Sequence, residues 1–487
     1  MSTSQSSNKD LLPGKEYPRN DEAKVAMEIV EMLKNQMIRM YSSKGAKQHR
    51  QIHPKLNGCV KAEFIIEPNL EPELRVGLFK EAKSYPAWIR FSNGETKPVP
   101  DTKKDNRGFA LKLMNVPGEK MDGTGSFDFI LMNPKKFVAG SVNKFKDILF
   151  VATTPWPLSS IPRKIFYIFS NLPILSSAIK SKIKINHPCE IPYFSSVPYR
   201  FGDETRAVKY AVIPSGKNQL ECPDKAGANF LRANLAETLK KHEIIYDFFV
   251  QFQDDPVKMP IENPAVEWTS AFTKVATIRI PVQEFDTYER NELGDNLAFN
   301  IWHCLPEHRP LGNFSRARRI IYEHMQEFRH QQNKLNYTEP KAGPDFFKEL
   351  NSGNTDTSSN LQIVQQMYKN FADGNLPAVL ALFDKDIVWK RNGDPDIPFS
   401  GTFKGIQESI RMLTITHDTI KVLEFVPEKF VDKEDMVFVI GHDRAEVIAT
   451  GKVYKCEWVQ VFTLKDKKIT QAIVYLDSLA IAKAFQA

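Results

Sequence analysis

A chain of 487 residues is too long for one ordinary hydrophobic core, so two domains are the first expectation. Its 42% hydrophobic and 26% charged content is that of a folded globular protein and excludes a largely disordered one. The net charge of +7 belongs to the front, because from Asp356 onward 16 Lys and Arg face 18 Asp and Glu. The basic residues are dispersed, without a basic block or RNP-like aromatic motif, so nucleic acid is not an expected partner and attraction of anionic ligands is the milder inference.

In chain order, Met1 is followed by polar residues and no apolar leader, and residues 1–20 read as a disordered tail. A first domain is expected over 21–337. Its strands are Lys61–Ile66, Trp88–Phe91, Phe109–Met114, Phe127–Met132, Ala207–Ile213 and Val275–Ile280, in mostly antiparallel pairing closed into a barrel. The greasiest stretch, Ile148–Leu175, is broken by Pro155, Pro157, Pro162, Arg163, Lys164 and Pro173, so no transmembrane segment is expected. It reads as a buried helix–loop–helix, with a lip touching lipid as the alternative. Cys59, Cys189, Cys222, Cys304 and Cys456 are scattered without a C-x-x-C pair, which argues against disulfides and a zinc cage and for a reducing, cytoplasmic setting. Ser315–Lys334 is periodic as a helix, with Ile320, Ile321, Met325 and Phe328 at helical spacings.

Residues 338–359, rich in Pro, Gly, Ser, Asn and Thr, read as a linker to a second domain over 360–487. Helices are expected at Leu361–Phe371 and Ala378–Phe383. Strands follow at Thr419–Pro427, Met436–Ile440, Arg444–Thr450, Lys452–Leu464 and Lys468–Tyr475. Helices followed by a curved sheet make this part α+β.

Four stretches of the first domain carry polar residues that core packing does not explain: RQIHPKLNGCVKAEF with Arg50 and His53, WIRFSNGE with Arg90 and Ser92, DTKKDNRGFALKL, and DFILMNPKKF with Asn133 and Phe137. Together, in this order, they resemble the catalase superfamily, in its small form akin to catalase-related proteins and allene oxide synthases. Ile52 before the histidine is closer to the catalase Val than to the Thr of allene oxide synthases. The resemblance implies haem b, with His53 as the distal acid–base, Ser92 orienting it, Asn133 donating a hydrogen bond to peroxide, Arg50 and Arg90 at the haem propionates, and Phe137 against the macrocycle. It also implies a tyrosinate axial ligand to iron. Arg318 and Tyr322 stand four apart on one helix face, where a cation lowers a phenol's pKa. His303 or His308, in IWHCLPEHRPLG, stays open as a rival iron ligand. The helix continues past Tyr322 as Glu323-His324-Met325, a departure from the family's pattern.

The stretch from Gln365 to Gln486, with MYKNFADGNLPAVLALFDKDIVW, FSGTFKGIQES and IVYLDSLAIAKAF, resembles the SnoaL-like, nuclear-transport-factor-2-like superfamily. That implies an α+β cone around a pocket, with Trp389, His442, Asp443, Arg444, Trp458, Tyr475 and Asp477 as candidate pocket groups. An Asp in an apolar cone can serve as a base, whereas Asp477 equally suits the cap of the last helix. A homodimer through this domain is a further expectation.

The fold class expected is therefore α+β, a catalase-like antiparallel barrel with surrounding helices joined to a SnoaL-like cone. The function expected is a haem-dependent oxidoreductase of catalase or peroxidase type, acting on hydrogen peroxide or an organic (fatty-acid) hydroperoxide. Two readings stand beside it: haem or lipid binding without turnover, and an isomerase or hydrolase whose site is in the cone.

Overall fold

The computed structural model describes all residues except 1–10, 42–47, 154–164, 166, 167, 170, 171, 344, 345, 348–359 and 487. It divides into one unit up to Gly353 and another from Asn354. Most of the stretch between Ile148 and Leu175, with its lipid-lip alternative, lies outside the described residues. Among the described residues no helix is long and apolar enough to cross a membrane.

Among the described residues the first unit is built on nine strands: β1 (Leu56–Ile66), β2 (Ser84–Asn93), β3 (Arg107–Leu113), β4 (Phe127–Met132), β5 (Tyr193–Phe194), β6 (Tyr199–Phe201), β7 (Asp203–Pro214), β8 (Ile244–Phe252) and β9 (Phe272–Ile280). Their order is β5-β4-β3-β2-β1-β9-β8-β7-β6, and a β5–β7 pairing closes eight of them into a ring. Closure removes two sheet edges whose backbone groups would otherwise lack partners. Side chains alternate, and the inner set is aromatic. Phe129 packs on Phe248 at 4.9 Å and on Tyr210 at 5.0 Å, and Phe64 meets Phe248 edge-on at 5.1 Å. The same alternation sends Arg90 and Ser92 to the outer face of β2, opposite Ile89 and Phe91. Strand β8 had no counterpart in the sequence reading, although its Tyr246, Phe248 and Val250 enter the barrel core.

Around the ring lie α1 (Glu22–Met40), α2 (Val142–Thr153), α3 (Leu172–Lys180), α4 (Phe230–Lys241), α5 (Tyr288–Asn296) and α6 (Asn313–Gln332). The apolar stripe of α1, with Val25, Ile29 and Leu33, packs with Ala317 and Ile321 of α6. Residues 11–20 are not a loose tail: the backbone N–H of Gly14 donates to Gln253 Oε1 (2.9 Å), that of Tyr17 to Glu262 Oε1 (2.8 Å), and Glu16 pairs with Arg309 and Arg316. The start of the expected linker is also held by the first unit. Glu339 bonds Lys112 (2.8 Å), Asn115 Nδ2 donates to the Ala342 carbonyl (2.9 Å), and Phe346 meets Trp88 edge-on at 5.3 Å.

The second unit has helices α7 (Asn360–Ala372), α8 (Leu376–Leu380), α9 (Gly405–Thr419) and α10 (Ser478–Phe485). Its six-stranded sheet runs β11-β10-β15-β14-β13-β12, comprising β10 (Phe383–Arg391), β11 (Gly401–Lys404), β12 (Ile420–Lys433), β13 (Met436–Val447), β14 (Val453–Lys465) and β15 (Lys468–Leu476). Two strands expected at 436–440 and 444–450 are one, β13. Gly441 is no break in it: a Cβ there would come within 2.5 Å of the Trp458 ring, so glycine makes room for that indole. Phe383, expected to end a helix, starts a strand instead.

Candidate functional site

The loop before β1 brings His53 against the outer face of the barrel. His53 adopts φ 62°, a left-handed backbone uncommon outside glycine and a frequent mark of functional sites. Its Nδ1 bonds Ser92 Oγ at 3.1 Å, and its carbonyl accepts from Arg90 Nη2 at 3.0 Å. Gly108 lies beneath, and a Cβ there would come within 2.6 Å of His53 Nδ1 and 2.7 Å of Ser92 Oγ. The glycine of the RGF motif thus leaves space for the imidazole. Burial, reinforced by Arg90, Arg50 and Arg318, pushes His53 down to about 3, so the ring is neutral near pH 7.

Two buried arginines, Arg90 and Arg329, and the half-buried Arg50 converge beside it on the carboxyl end of α5. Arg50 Nη2 donates to the carbonyls of Gly294 (3.3 Å) and Leu297, Arg90 Nε to Gly294 (2.9 Å), and Arg329 to Asp295, Asn296 (3.4 Å) and Leu297 (3.4 Å). The exposed carbonyls and negative pole of a helix end suit such donors. Still, burial and mutual repulsion act against the charges: Arg90 is pushed down to about 9, and Arg329 is lowered by burial and then by Arg50 and Arg90. Among the described residues Arg50 Nε has no hydrogen-bond partner. Arg329 was not singled out from the sequence. Its signal was there, for it stands seven residues after Tyr322 on one helix, two turns along the same face.

Arg318 and Tyr322 sit on α6 as the spacing required. The Arg318 guanidinium lies 5.3 Å from the Phe137 ring, and its buried Nη1 has no hydrogen-bond partner among the described residues. Its charge reaches both His53 and Tyr199, and Tyr322 also acts on Tyr199. Phe137 packs on Phe314 (4.3 Å) and Phe145 (5.4 Å). Asn133 is largely engaged: Oδ1 accepts from the Arg107 N–H (2.7 Å) and Nδ2 donates to the Ser181 carbonyl (3.0 Å), leaving one amide hydrogen. An anionic planar group fits this donor set: among the described residues Arg50, Arg90 and Arg329 form no ion pair, although the charge of Asp295 reaches all three, and Arg50 Nε and Arg318 Nη1 have no hydrogen-bond partner.

The rival histidines are spent elsewhere. His303 bridges Asp128 (Nδ1, 2.8 Å) and Asp122 (Nε2, 2.9 Å). Burial alone would lower it, but the carboxylates outweigh that and hold it up at about 9. Lys112 completes the cluster with Asp128 (2.9 Å), Ser126 (2.9 Å) and Glu339. His308 accepts from the Leu78 N–H (3.0 Å) and bonds the Tyr210 hydroxyl (3.1 Å). Neither keeps a free nitrogen for iron. A cleft of about 740 Å³ opens beside His303, but His53, Ser92, Asn133 and Tyr322 are not among its lining residues. Its lining residues are mostly polar or charged, among them Glu323, Gln326, Glu327 and Lys334. Among the described residues no group of three or more His, Cys, Asp or Glu could hold a metal ion, and all five cysteines are free.

In the cone, the inner face carries Trp389, Asp443 and Trp458, together with Arg391, Tyr454 and Cys456, which the sequence reading passed over. Burial raises Asp443 to about 6, with Arg391 opposing. His442 and Arg444 point to the other face, where His442 Nδ1 bonds Glu428 (2.8 Å) and Arg444 approaches Glu424 (3.7 Å). Tyr475 is 51% exposed. Asp477 caps α10, accepting from the Ala480 N–H (3.3 Å), so it is a cap and not a pocket base.

A family model described as the SnoaL-like domain matches residues 364–472. The C-terminal unit is a SnoaL-like domain. Among solved structures, a Burkholderia xenovorans NTF2-like protein is 27% identical, with 27% of this chain and all of that one covered and a TM-score of 0.26. A fungal catalase is 15% identical across 66% of this chain and 71% of that one, with a TM-score of 0.46. Catalase A from Saccharomyces cerevisiae is 13% identical across 70% and 83%, also with a TM-score of 0.46. No curated protein matches the chain.

Proposed function

We propose that the first unit is a catalase-like haem protein that uses haem b on hydrogen peroxide or an organic hydroperoxide. The observation that carries this reading is the cluster of Arg50, Arg90 and Arg329, which donate to backbone carbonyls and, among the described residues, form no ion pair, beside a neutral imidazole. Buried cations persist where an anion is to be held, and guanidinium forks suit the two propionates. Tyr322, one helical turn after Arg318 on α6, is the residue for the iron. Haem bound there would supply the iron chemistry that cleaves an O–O bond.

The chain's own residues then move the proton. His53, neutral across the physiological range, accepts it from the near peroxide oxygen at Nε2 and returns it to the departing oxygen. Ser92 Oγ fixes the ring through Nδ1, and Gly108 leaves the space. The spare amide hydrogen of Asn133 polarises the peroxide. Protein produced with haem supplied should show a Soret band with high-spin tyrosinate features, altered in Tyr322→Phe. Peroxide consumption should fall at least a hundredfold in His53→Ala while the band persists. Protein that takes up no haem, or consumption unchanged by His53→Ala, refutes the proposal.

A further inference from the structure

Short helices are held in proteins by burying an apolar face, and α3 does not bury one. Its sequence, LPILSSAIK, is mostly apolar, yet none of its described side chains is fully buried. Leu172 (50% exposed) and Ile179 (70%) stand two turns apart on one face, with the exposed Ser176 between them. Upstream, Ile165 and Phe169, both helical and exposed at 44% and 69%, continue the same steps of three and four residues. Phe169 and Ile179 are the most exposed large apolar side chains among the described residues.

The carboxyl end of α3 is fixed to the barrel. Asn133 Nδ2 donates to the Ser181 carbonyl (3.0 Å) and Arg107 to the Ile183 carbonyl (3.3 Å). Ile183 also exchanges backbone hydrogen bonds with Asp105 (3.0 and 3.1 Å), and Lys182 pairs with Glu95. Lys180 and Lys184, by contrast, are exposed and form no ion pair among the described residues. No Asp or Glu lies between Asp147 and Glu190, against five Lys and Arg in the same stretch. An anchored element therefore presents apolar side chains from a stretch of one charge sign.

We propose that the exposed face of α3, with Ile165 and Phe169, docks the first unit on a bilayer that carries anionic lipid. An exposed apolar stripe marks an interaction surface, and cations in a stretch without acidic residues select a negatively charged partner. A bilayer supplies both at once: an acyl boundary for Phe169 and Ile179, and headgroup charge for Lys180 and Lys184. A second copy of this chain would bring like charges together, which opposes that pairing. The nine residues of α3 are too few to span the hydrocarbon core, so the contact stays at the surface. The docking requires neither haem nor peroxide turnover.

Cosedimentation of the full chain with vesicles tests this, using phosphatidylcholine alone and phosphatidylcholine with roughly one-third phosphatidylserine. The mixed vesicles should be bound at least tenfold more tightly, and roughly half-molar salt should remove most of that preference. Phe169→Ser with Ile179→Ser, both at exposed side chains, should keep the thermal melt and weaken binding at least tenfold. If that melt shifts, Phe169→Ser alone is compared, with a loss of at least threefold expected. Lys180→Glu with Lys184→Glu should cut the preference for mixed vesicles at least threefold. Ile38→Ser, at an exposed apolar position of α1, should leave binding unchanged. No binding to the mixed vesicles, equal binding to both kinds, affinity that survives the serine changes, or an equal loss in Ile38→Ser would each overturn the proposal. So would self-association abolished by Phe169→Ser with Ile179→Ser while no vesicle is bound.

Discussion

Replacing His303 by Gln should remove a pH-dependent contribution to stability whose size follows from its surroundings. The imidazole is held between Asp128 and Asp122 with a pKa of about 9. An unfolded histidine titrates near 6.5, and at about 1.4 kcal/mol per pH unit that difference is worth about 3 kcal/mol. The folded pKa is the higher one, so the contribution is complete below about pH 6.5 and is lost as pH rises through 9. Lysines and tyrosines of the rest of the chain titrate in the same range, so the informative quantity is the difference between the unaltered chain and the variant. Urea unfolding of both, followed from pH 6 to 10, should show a gap that closes by about 3 kcal/mol. A gap that stays constant within about 1 kcal/mol, or that widens with pH, would mean that His303 is neutral in the fold.

Three further outcomes are expected. Phe248→Ala, in the barrel's aromatic centre, should destabilise the first unit by about 3–5 kcal/mol in denaturant unfolding. Arg329→Met should lower haem retention at least tenfold, while the haem-free protein loses no thermal stability, because repulsion from Arg50 and Arg90 is relieved; unchanged retention would remove this residue from the cofactor's holders. Asp477→Ala should cost the C-terminal unit about 1 kcal/mol in denaturant unfolding, since the carboxylate caps a helix; unchanged stability would show that the cap contributes nothing.

Much of the candidate site was legible because it depends on short-range geometry. Alternation along β2 decided that Arg90 and Ser92 share a face, and the four-residue step decided the same for Arg318 and Tyr322. The unit boundary was harder to read. The segment around Glu339 and Phe346 has a linker's composition, yet it packs because Lys112 and Trp88, distant in the chain, offer it partners.

What the sequence by itself determined was which side chains of one element stand together and which residue types could carry haem or close a cone. Only the tertiary structure decided their surroundings. His53, His303 and His308 are chemically identical, yet the first and last are held neutral by burial while His303 is held as a cation by Asp128 of β4 and Asp122 of the turn before it. His442 faces away from the cone and Asp443 into it, a choice that period-two alternation leaves open and that the pairing of β13 with its neighbours makes. Periodicity depends on bond geometry within a few residues, whereas burial, charge and the identity of the inner face depend on what packs against them from far along the chain.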